Sequence, residues 1–271
     1  MRTRTALFSL LAALALASAA TVVHAQAARE EGRLLMASQV LGEMRGSRDQ
    51  AIPDRLLERA YGIVVIPDTT KIAWFFGGRR GHGAMAVRDK DGSFSAPVFV
   101  TMTGGSFGFQ WGVQSTDVVL VFTTPRGIQG INGGKVTLGG DLSVAAGPVG
   151  RDAFAATDAT FKAEVYSYSR SRGAFVGLAL DGTVISIDDD ANADFYRKPG
   201  VLASDIMSGS VRSDDESARR FLAAISTSTE TTQRQASAAP APRPAAPGRA
   251  PAPGSAQSFP LSDPKPGSEP K

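Results

Sequence analysis

The spacing of hydrophobic residues changes near residue 62, and the change predicts two kinds of structure. Between residues 27 and 45 the apolar positions that share one helical face are Leu34, Leu35, Val40, Leu41 and Met44. This spacing predicts an N-terminal helix. Pro53 suits the first turn of a second, short helix that ends near Ala60. From Gly62 onward, short β-branched and aromatic runs are separated by Gly, Asp and Pro, which is typical of strands and hairpins.

Strand-like runs fill the middle of the chain. The predicted strands are residues 62–66, 71–76, 83–88, 93–103, 106–114, 118–123, 135–138, 159–169, 174–180 and 183–187. Asp91-Gly92 and Asp181-Gly182 each lie between two such runs, and Asp-Gly is typical of a type I′ hairpin turn. The spacing favours antiparallel pairing over alternating β-α-β units. The predicted fold class is α+β, a mostly antiparallel β sandwich or barrel with N-terminal helices and a C-terminal helix.

The two ends of the chain differ from its middle. Arg2 and Arg4 precede an apolar run over residues 6–20 and the small-residue site Val23-His24-Ala25, which is typical of a secretory signal peptide. Ser213, followed three residues later by Glu216, is a capping-box pattern and predicts the C-terminal helix.

Beyond that helix the composition changes again. Residues 236–271 contain 10 prolines among Ala, Ser and Gly, a composition that cannot build a core. The predicted organisation is a signal peptide at 1–25, one domain at 26–230 and a disordered Pro/Ala-rich tail at 231–271. The tail is expected to act as a tether or to carry a Pro-rich recognition motif.

Charge is unevenly distributed along the chain, whose formal net charge is +3. The tail alone has a net charge of +3, from Arg234, Arg243, Arg249, Lys265 and Lys271 against Asp263 and Glu269. Because Arg2 and Arg4 leave with the signal peptide, the folded domain has a net charge of −2. It has no global attraction to nucleic acid or anionic lipid, so any anion binding needs a local basic cluster.

Several kinds of catalytic site are missing from the sequence. The chain has no cysteine, which excludes disulfides, thiolate metal sites and cysteine nucleophiles. His82 is the one histidine after residue 25, and no Gly-x-Ser-x-Gly elbow or His-Glu-x-x-His pair is present. Residues 188–194 resemble the opening of a calcium loop, but Ala193 and Pro199 replace its glycine and glutamate. A solvated acidic turn that enters a short helix is the simpler interpretation, and we predict no enzyme, cofactor or metal.

One glycine-rich run follows aromatic residues and carries basic ones. Trp74-Phe75-Phe76 comes directly before residues 77–83, which contain Arg79, Arg80 and His82. Aromatic rings beside arginines on a loop fit a membrane interface, because rings settle at headgroup depth and guanidinium groups bind phosphates. The alternative is that the aromatic side chains alternate into the core and the arginines are solvated at a turn.

Two further segments carry candidate binding residues. Alternation along residues 106–114 places Phe107, Phe109 and Trp111 on one strand face, which is most simply core. Residues 166–173 end a strand in a basic turn, where Arg170 and Arg172 are candidates for phosphate binding, with plain surface solvation as the alternative.

In order and spacing, these segments resemble the SYLF domain family, also described as the yeast actin-regulator-type domain. The resemblance covers about residues 30–225 and lies in residues 60–67, 77–83, 95–100, 104–108, 114–120, 145–151 and 168–173. It implies phospholipid binding, and in eukaryotic members phosphoinositide binding, sometimes with actin bundling and an attached SH3 domain.

This chain departs from the eukaryotic setting, because it has a predicted signal peptide and no SH3 domain. Neither phosphoinositide nor actin is therefore expected as its partner. By residue, the resemblance implies lipid-headgroup contacts at Arg79 and Arg80 on the glycine run and at Arg170 and Arg172 on the Tyr-Ser-Arg-Ser-Arg-Gly turn.

The sequence thus predicts an exported, non-catalytic domain of the bacterial envelope, periplasmic or secreted, that binds phospholipid peripherally. Arg79, Arg80, Arg170 and Arg172 are its predicted headgroup contacts, and Trp74, Phe75 and Phe76 are its predicted membrane contacts. The expected partner is an anionic phospholipid or membrane surface and not nucleic acid, and self-association is left open. The alternative is an envelope scaffold or protein-interaction module with a Pro-rich tether.

Overall fold

A single curled sheet of nine strands organises the described part of the chain. The computed structural model describes residues 26–44, 52–73, 77–106, 112–147, 162–171, 174–175 and 180–226. The strands are β1 Gly62–Ala73, β2 Gly77–Val87, β3 Val98–Ser106, β4 Gly112–Phe122, β5 Lys135–Thr137, β6 Val144–Ala146, β7 Val165–Ser171, β8 Ala174–Phe175 and β9 Val184–Ile187. The helices are α1 (26–44), α2 Asp54–Glu58, α3 Pro125–Asn132, α4 Asp189–Tyr196, α5 Ala203–Met207 and α6 (216–226).

The sheet forms a half-barrel in which the strand order is β5-β9-β3-β2-β1-β4-β7-β6, and β8 pairs with β7. Pairing is antiparallel throughout, except between β6 and β7. The predicted α+β class is confirmed, with the strands in one curled sheet. None of the described helices has the length and apolar character that crossing a bilayer requires.

Both faces of the sheet are buried, because helices pack on each of them. Alternate residues of β1 belong to two core clusters, with Ile63 and Val65 in the first and Val64 and Ile66 in the second. Helices α1, α2, α4 and α6 contribute to the first cluster, and α3 and α5 to the second. We call the two sides the α1 face and the α3 face. Burial on both faces explains why residues 62–66 form a continuous apolar run.

Strand β1 is one strand where the sequence predicts two. Residues 62–66 and the described part of the predicted strand 71–76, residues 71–73, are joined through Pro67 and Asp68. The register with β2 and β4 shifts here, and Asp68 has a φ of 51°, so these residues form a β-bulge. The Asp68 amide donates a hydrogen bond of 3.1 Å to Asp117 Oδ1. The strand continues through this pair because aspartate tolerates a left-handed backbone better than most residues.

Both Asp-Gly pairs form turns, but neither turn is type I′ as predicted. That type requires a positive φ at both central residues, whereas only Gly92 (88°) and Gly182 (75°) have one. The Gly92 amide donates to the Asp89 carbonyl, and the Thr183 amide donates to the Leu180 carbonyl. In the second turn the glycine occupies the position that a type II turn reserves for a positive φ.

The predicted helices are present, with different boundaries. The described part of α1 is 26–44, against a predicted 27–45, and α2 lies within the predicted 53–60. Helix α6 begins at residue 216 rather than just after Ser213. Asp215 caps it, because its carboxylate accepts from the Ser217 amide and its carbonyl accepts from the Arg219 amide.

Helix α3 is not predicted by the sequence pattern. Its eight residues, Pro125–Asn132, include glycines at positions 127 and 130, which have low helix propensity. Ile128 and Ile131 nevertheless pack into the core of the α3 face. Tertiary burial therefore outweighs local propensity in this segment.

Residues 77–83, predicted as a glycine loop, are instead the first part of β2. The glycines allow two backbones to approach closely. A Cβ on Gly83 would lie 2.0 Å from the Val65 carbonyl oxygen and 2.8 Å from Ile66 Cα. Only a residue without a side chain fits at this contact between β1 and β2.

We expect Gly83→Ala to lower the free energy of unfolding by about 2–3 kcal/mol, because the added methyl group would push β1 away from β2. The matched control is Gly78→Ala in the same strand, where a Cβ would meet nothing within 4 Å. That change should alter stability by less than about 1 kcal/mol. Urea denaturation followed by circular dichroism measures both values. Equal effects of the two substitutions would contradict this account of the contact.

Candidate functional site

One end of each of the four strands β1, β2, β3 and β4 lies at the same level of the sheet. Ala73, the last residue of β1, pairs with Gly77 of β2 and with Gly112 of β4. Gly77 also pairs with Ser106, the last residue of β3. We call this level the Gly77 end of the sheet. The connections from β1 to β2 and from β3 to β4 both start and end at this level.

The residues that link these strands are 74–76 and 107–111. Trp74, Phe75 and Phe76, the predicted membrane contacts, therefore lie outside the described residues, as do Phe107, Phe109 and Trp111. What the described strands establish is that both segments connect at the Gly77 end.

Arg79 and Arg80 point to opposite faces of the sheet, because the segment that carries them is a strand. Arg79 is on the α3 face and only 8% exposed, with its Cγ 3.4 Å from where a Cβ of Gly104 would be. Burial lowers the pKa of Arg79. Arg80 is exposed and lies on the α1 face. The two guanidinium groups therefore do not form the joint cluster that a loop would allow.

Arg170 is held between two carboxylates on the α1 face. Its Nη2 contacts Glu43 Oε2 of α1, and it also lies 3.4 Å from Asp117 Oδ2 of β4. Burial alone would lower the pKa of Arg170, but the two carboxylates outweigh burial and raise it. Hydrogen bonds from Gln39 and Arg170 lower the pKa of Glu43. Arg170 therefore ties α1 to the sheet.

The four predicted arginines do not share one described surface. Strands β2 and β7 are separated by β1 and β4, which puts Arg80 and Arg170 roughly 14 Å apart across the sheet. Arg79 faces the other side, and Arg172 lies outside the described residues. Of the four, Arg80 alone is both described and exposed.

A cleft of about 210 Å³ lies beside Arg170, between α1 and the bulge of β1. Its lining residues are Met36, Gln39, Val40, Glu43, Pro67, Asp68, Asp117 and Arg170. The bulge shapes this cleft, since Pro67 and Asp68 form one wall. No sequence motif marks it, because its residues come from four separate segments, in α1, β1, β4 and β7.

A second polar cluster lies between α1, the sheet and α4. Asp188 Oδ2 is 3.3 Å from Arg33 Nη1 of α1, 3.1 Å from His82 Nδ1 of β2 and 3.3 Å from Thr101 Oγ1 of β3. Arg33 also forms an ion pair of 2.9 Å with Glu30 Oε2. Glu30 and Arg33 are almost fully buried, which raises the pKa of Glu30.

Asp188 connects this cluster to α4. It is the N-cap of α4, where its Oδ1 accepts from the Ala191 amide over 3.3 Å. Burial would raise the pKa of Asp188, but hydrogen bonds from His82 and Ala191 and the charge of Arg33 hold it below its ordinary value. The predicted short helix is present, but this aspartate is not the solvated residue that the sequence suggested. Among the described residues, no group of His, Cys, Asp and Glu could hold a metal ion.

Two charged residues on the apolar face of α1 are a sequence signal for this cluster, although no motif contains them. Glu30 and Arg33 lie three residues apart on the same face of α1 as the buried Leu34 and Ala37. Charged residues on an apolar helix face usually have a buried partner. Their partner, Asp188, is 155 residues away from Arg33 in the chain.

Comparison with known proteins gives one family. Residues 103–228 match the Ysc84 family, described as Las17-binding protein actin regulator. LAS seventeen-binding protein 3 of Saccharomyces cerevisiae is 38% identical over 181 residues, which is 66% of this chain and 39% of that protein. SH3 domain-containing YSC84-like protein 1 of Bos taurus is 32% identical over 168 residues, which is 62% of this chain and 49% of that protein. The chain thus spans less than half the length of these relatives.

We expect Asp188→Asn to lower the free energy of unfolding at pH 7 by about 2–3 kcal/mol, because Arg33 and His82 lose their shared anionic partner. A depressed carboxyl pKa contributes stability above the unfolded-state value, and this contribution disappears as pH falls through the folded-state value. The difference between wild type and variant should therefore shrink below about pH 4. Urea denaturation at pH 7 and pH 3 measures it.

The matched control for this prediction is Asp189→Asn, one residue further along at an exposed position in the first turn of α4. It should lower the free energy of unfolding by less than about 1 kcal/mol at either pH, because the variant loses only the interaction of the Asp189 carboxylate with the helix dipole. A loss of stability in Asp188→Asn that is the same at both pH values would contradict an ionised Asp188 at the centre of the cluster.

Proposed function

We propose that this chain, of which residues 103–228 match the Ysc84 family, also called the SYLF family, is a non-catalytic domain that docks peripherally on anionic phospholipid. The observation that carries the proposal is the common position of the two aromatic linkers. Residues 74–76 and 107–111 contain six aromatic residues and no charged one. Both linkers join strands at the Gly77 end of the sheet.

Arg80 supplies the complementary charge. It is exposed and three residues from the first residue of β2, which corresponds to about 10 Å along the strand. Aromatic rings at headgroup depth would bring a guanidinium group at that distance close to the phosphates. The buried position of Arg79 and the ion pairs of Arg170 make Arg80 the main headgroup contact that we propose among the described arginines.

The expected affinity is modest. Partial insertion of one ring contributes about 2 kcal/mol, and one arginine near an anionic surface contributes about 1 kcal/mol. A single ring with one or two arginines therefore gives dissociation constants of roughly millimolar or weaker. Each further ring that inserts would lower the constant about 30-fold. Insertion of several of the six aromatic residues in the two linkers would therefore give stable peripheral docking without a membrane-spanning segment.

The proposal places the domain outside the cytoplasm. Residues 1–25 have the n-region, apolar run and cleavage site of a signal peptide, which supports an envelope location in the periplasm or outside the cell. Anionic phospholipid is the partner that such a location offers, whereas actin is not expected there.

The test is sedimentation of residues 26–271 with neutral and with anionic liposomes, at low and at physiological salt. We expect salt-sensitive binding to anionic vesicles, because the arginine contribution is screened. Arg80→Ala should weaken that binding about fivefold, the equivalent of about 1 kcal/mol. The triple variant Trp74→Ser, Phe75→Ser, Phe76→Ser should weaken liposome binding by a larger factor, and that factor should be the same at low and at physiological salt.

Arg126→Ala is the matched control for Arg80→Ala. Arg126 is also exposed, with a side chain that is 71% accessible, but it lies in α3 beyond the opposite end of β4. Its removal should leave liposome binding unchanged. If Arg126→Ala and Arg80→Ala weaken binding equally, the Gly77 end is not the docking surface.

A second candidate function is protein interaction, which the comparisons favour. Two of the matching proteins are named for binding Las17 or for an SH3 domain. In this alternative the chain is an envelope scaffold whose partner is a protein. Absence of binding to both kinds of liposome, together with a protein that co-purifies in the absence of lipid, would support it over phospholipid docking.

A further inference from the structure

The cleft beside Arg170 has more negative charge than its one cation balances. Glu43, Asp68 and Asp117 line it together with Arg170. Arg170 is paired with both Glu43 and Asp117. Asp68 accepts a hydrogen bond of 2.7 Å from Ser115 Oγ and, among the described residues, has no cationic partner. With all three carboxylates ionised, the lining carries a net charge of −2.

The lining of the cleft also includes apolar side chains. Met36 and Val40 of α1 lie on one side and Pro67 of the bulge on the other. Met36 is 44% exposed, although it lies on a helix whose other large apolar residues are mostly buried. A volume of about 210 Å³ has room for one long side chain with part of its neighbouring backbone. Carboxylates beside apolar surface suit a guanidinium group on an aliphatic stem.

We propose that this cleft binds an arginine of the chain's own tail, residues 231–271. The tail and the cleft have opposite charge, since the tail has a net charge of +3. Its three arginines, Arg234, Arg243 and Arg249, precede its acidic residues. Arg243 lies between Pro242 and Pro244, and prolines restrict the unbound chain, so ordering this segment costs less entropy.

Helix α6, which precedes the tail in the chain, packs on the α1 face, the same side of the sheet as the cleft. Phe221 and Ile225 of α6 belong to the same core cluster as Leu34 and Leu41 of α1. Residue 243 is 17 residues beyond residue 226, the last described residue of α6. A flexible chain of that length spans about 23 Å on average. A tethered ligand at that distance has an effective concentration of about millimolar, so even a weak site is occupied. This docking of the tail is independent of the proposed phospholipid binding, because no lipid takes part in it.

The absence of cysteine in the full chain allows two spin labels to be placed without other changes. One label goes at Leu35→Cys, an exposed position of α1 next to the cleft, and the other at Ala246→Cys in the tail. Double electron–electron resonance then measures the distance between them. We expect a narrow, short-distance population at low salt that is replaced by a broad distribution at about 0.5 M salt, where charge attraction is screened.

Substitutions on each side of the contact identify the partners. Glutamine at Arg234, Arg243 and Arg249 should reduce the narrow population at least threefold. Asp68→Asn should also reduce the narrow population at least threefold. The structure should tolerate this substitution, because the asparagine side-chain oxygen can accept the hydrogen bond from Ser115 and asparagine tolerates a left-handed backbone. The controls are Lys265→Gln with Lys271→Gln in the tail and Glu58→Gln on the exposed side of α2, which should leave the distribution unchanged.

Three outcomes would overturn the proposal. One is a broad, salt-independent distribution in the unmodified chain. Another is a narrow population that persists in Asp68→Asn and in the triple arginine variant, since the tail would then be ordered elsewhere. The third is a narrow population when the two labels are on different chains, because the occupant of the cleft would then be a second copy of the protein.

Discussion

At Gly83 the backbone of β2 lies directly against that of β1, with no room for a side chain between them. This contact fixes the register of the two central strands, from which the rest of the sheet extends to both sides. Beyond the bulge at Pro67 and Asp68 the register of β1 shifts, and the shifted pairing places Ala73, Gly77, Ser106 and Gly112 at a single level. A shift of one residue would exchange the α1 and α3 faces of β2 and bury Arg80 in place of Arg79.

The helices on the α1 face are attached to this sheet by charge as well as by apolar packing. Asp188 joins α1, β2, β3 and α4 through one carboxylate group, and Arg170 joins α1 to β4 and β7. Pairs of this kind add little net stability, because desolvation offsets their attraction, but they disfavour other placements of the helix. The apolar residues of α1 supply the burial, and its charged residues determine its orientation.

The sequence was sufficient for the class of fold and for most helices and strands, because hydrophobic periodicity and turn residues are local signals. It was insufficient where the local residue pattern indicates one structure and contacts with residues distant in the chain favour another. The run 77–83 has the composition of a loop, and it is a strand because β1 packs against glycines 81 and 83. Pro67 and Asp68 resemble a strand end, yet Asp117 of β4 holds them within β1. Because this run is a strand, Arg79 and Arg80 lie on opposite faces of the sheet.

The edge strands of the half-barrel, among the described residues, are β5 on one side and β6 and β8 on the other. None of these strands is longer than three residues. A short edge offers few unpaired amide and carbonyl groups to another chain, so it is a poor template for the growth of a sheet across molecules. The long strands β1 and β4 are central. Strand β1 is paired on both sides, and the apolar part of β4, residues 118–122, pairs with both β1 and β7. The strand order therefore protects the most aggregation-prone segments of this protein from contact with other copies.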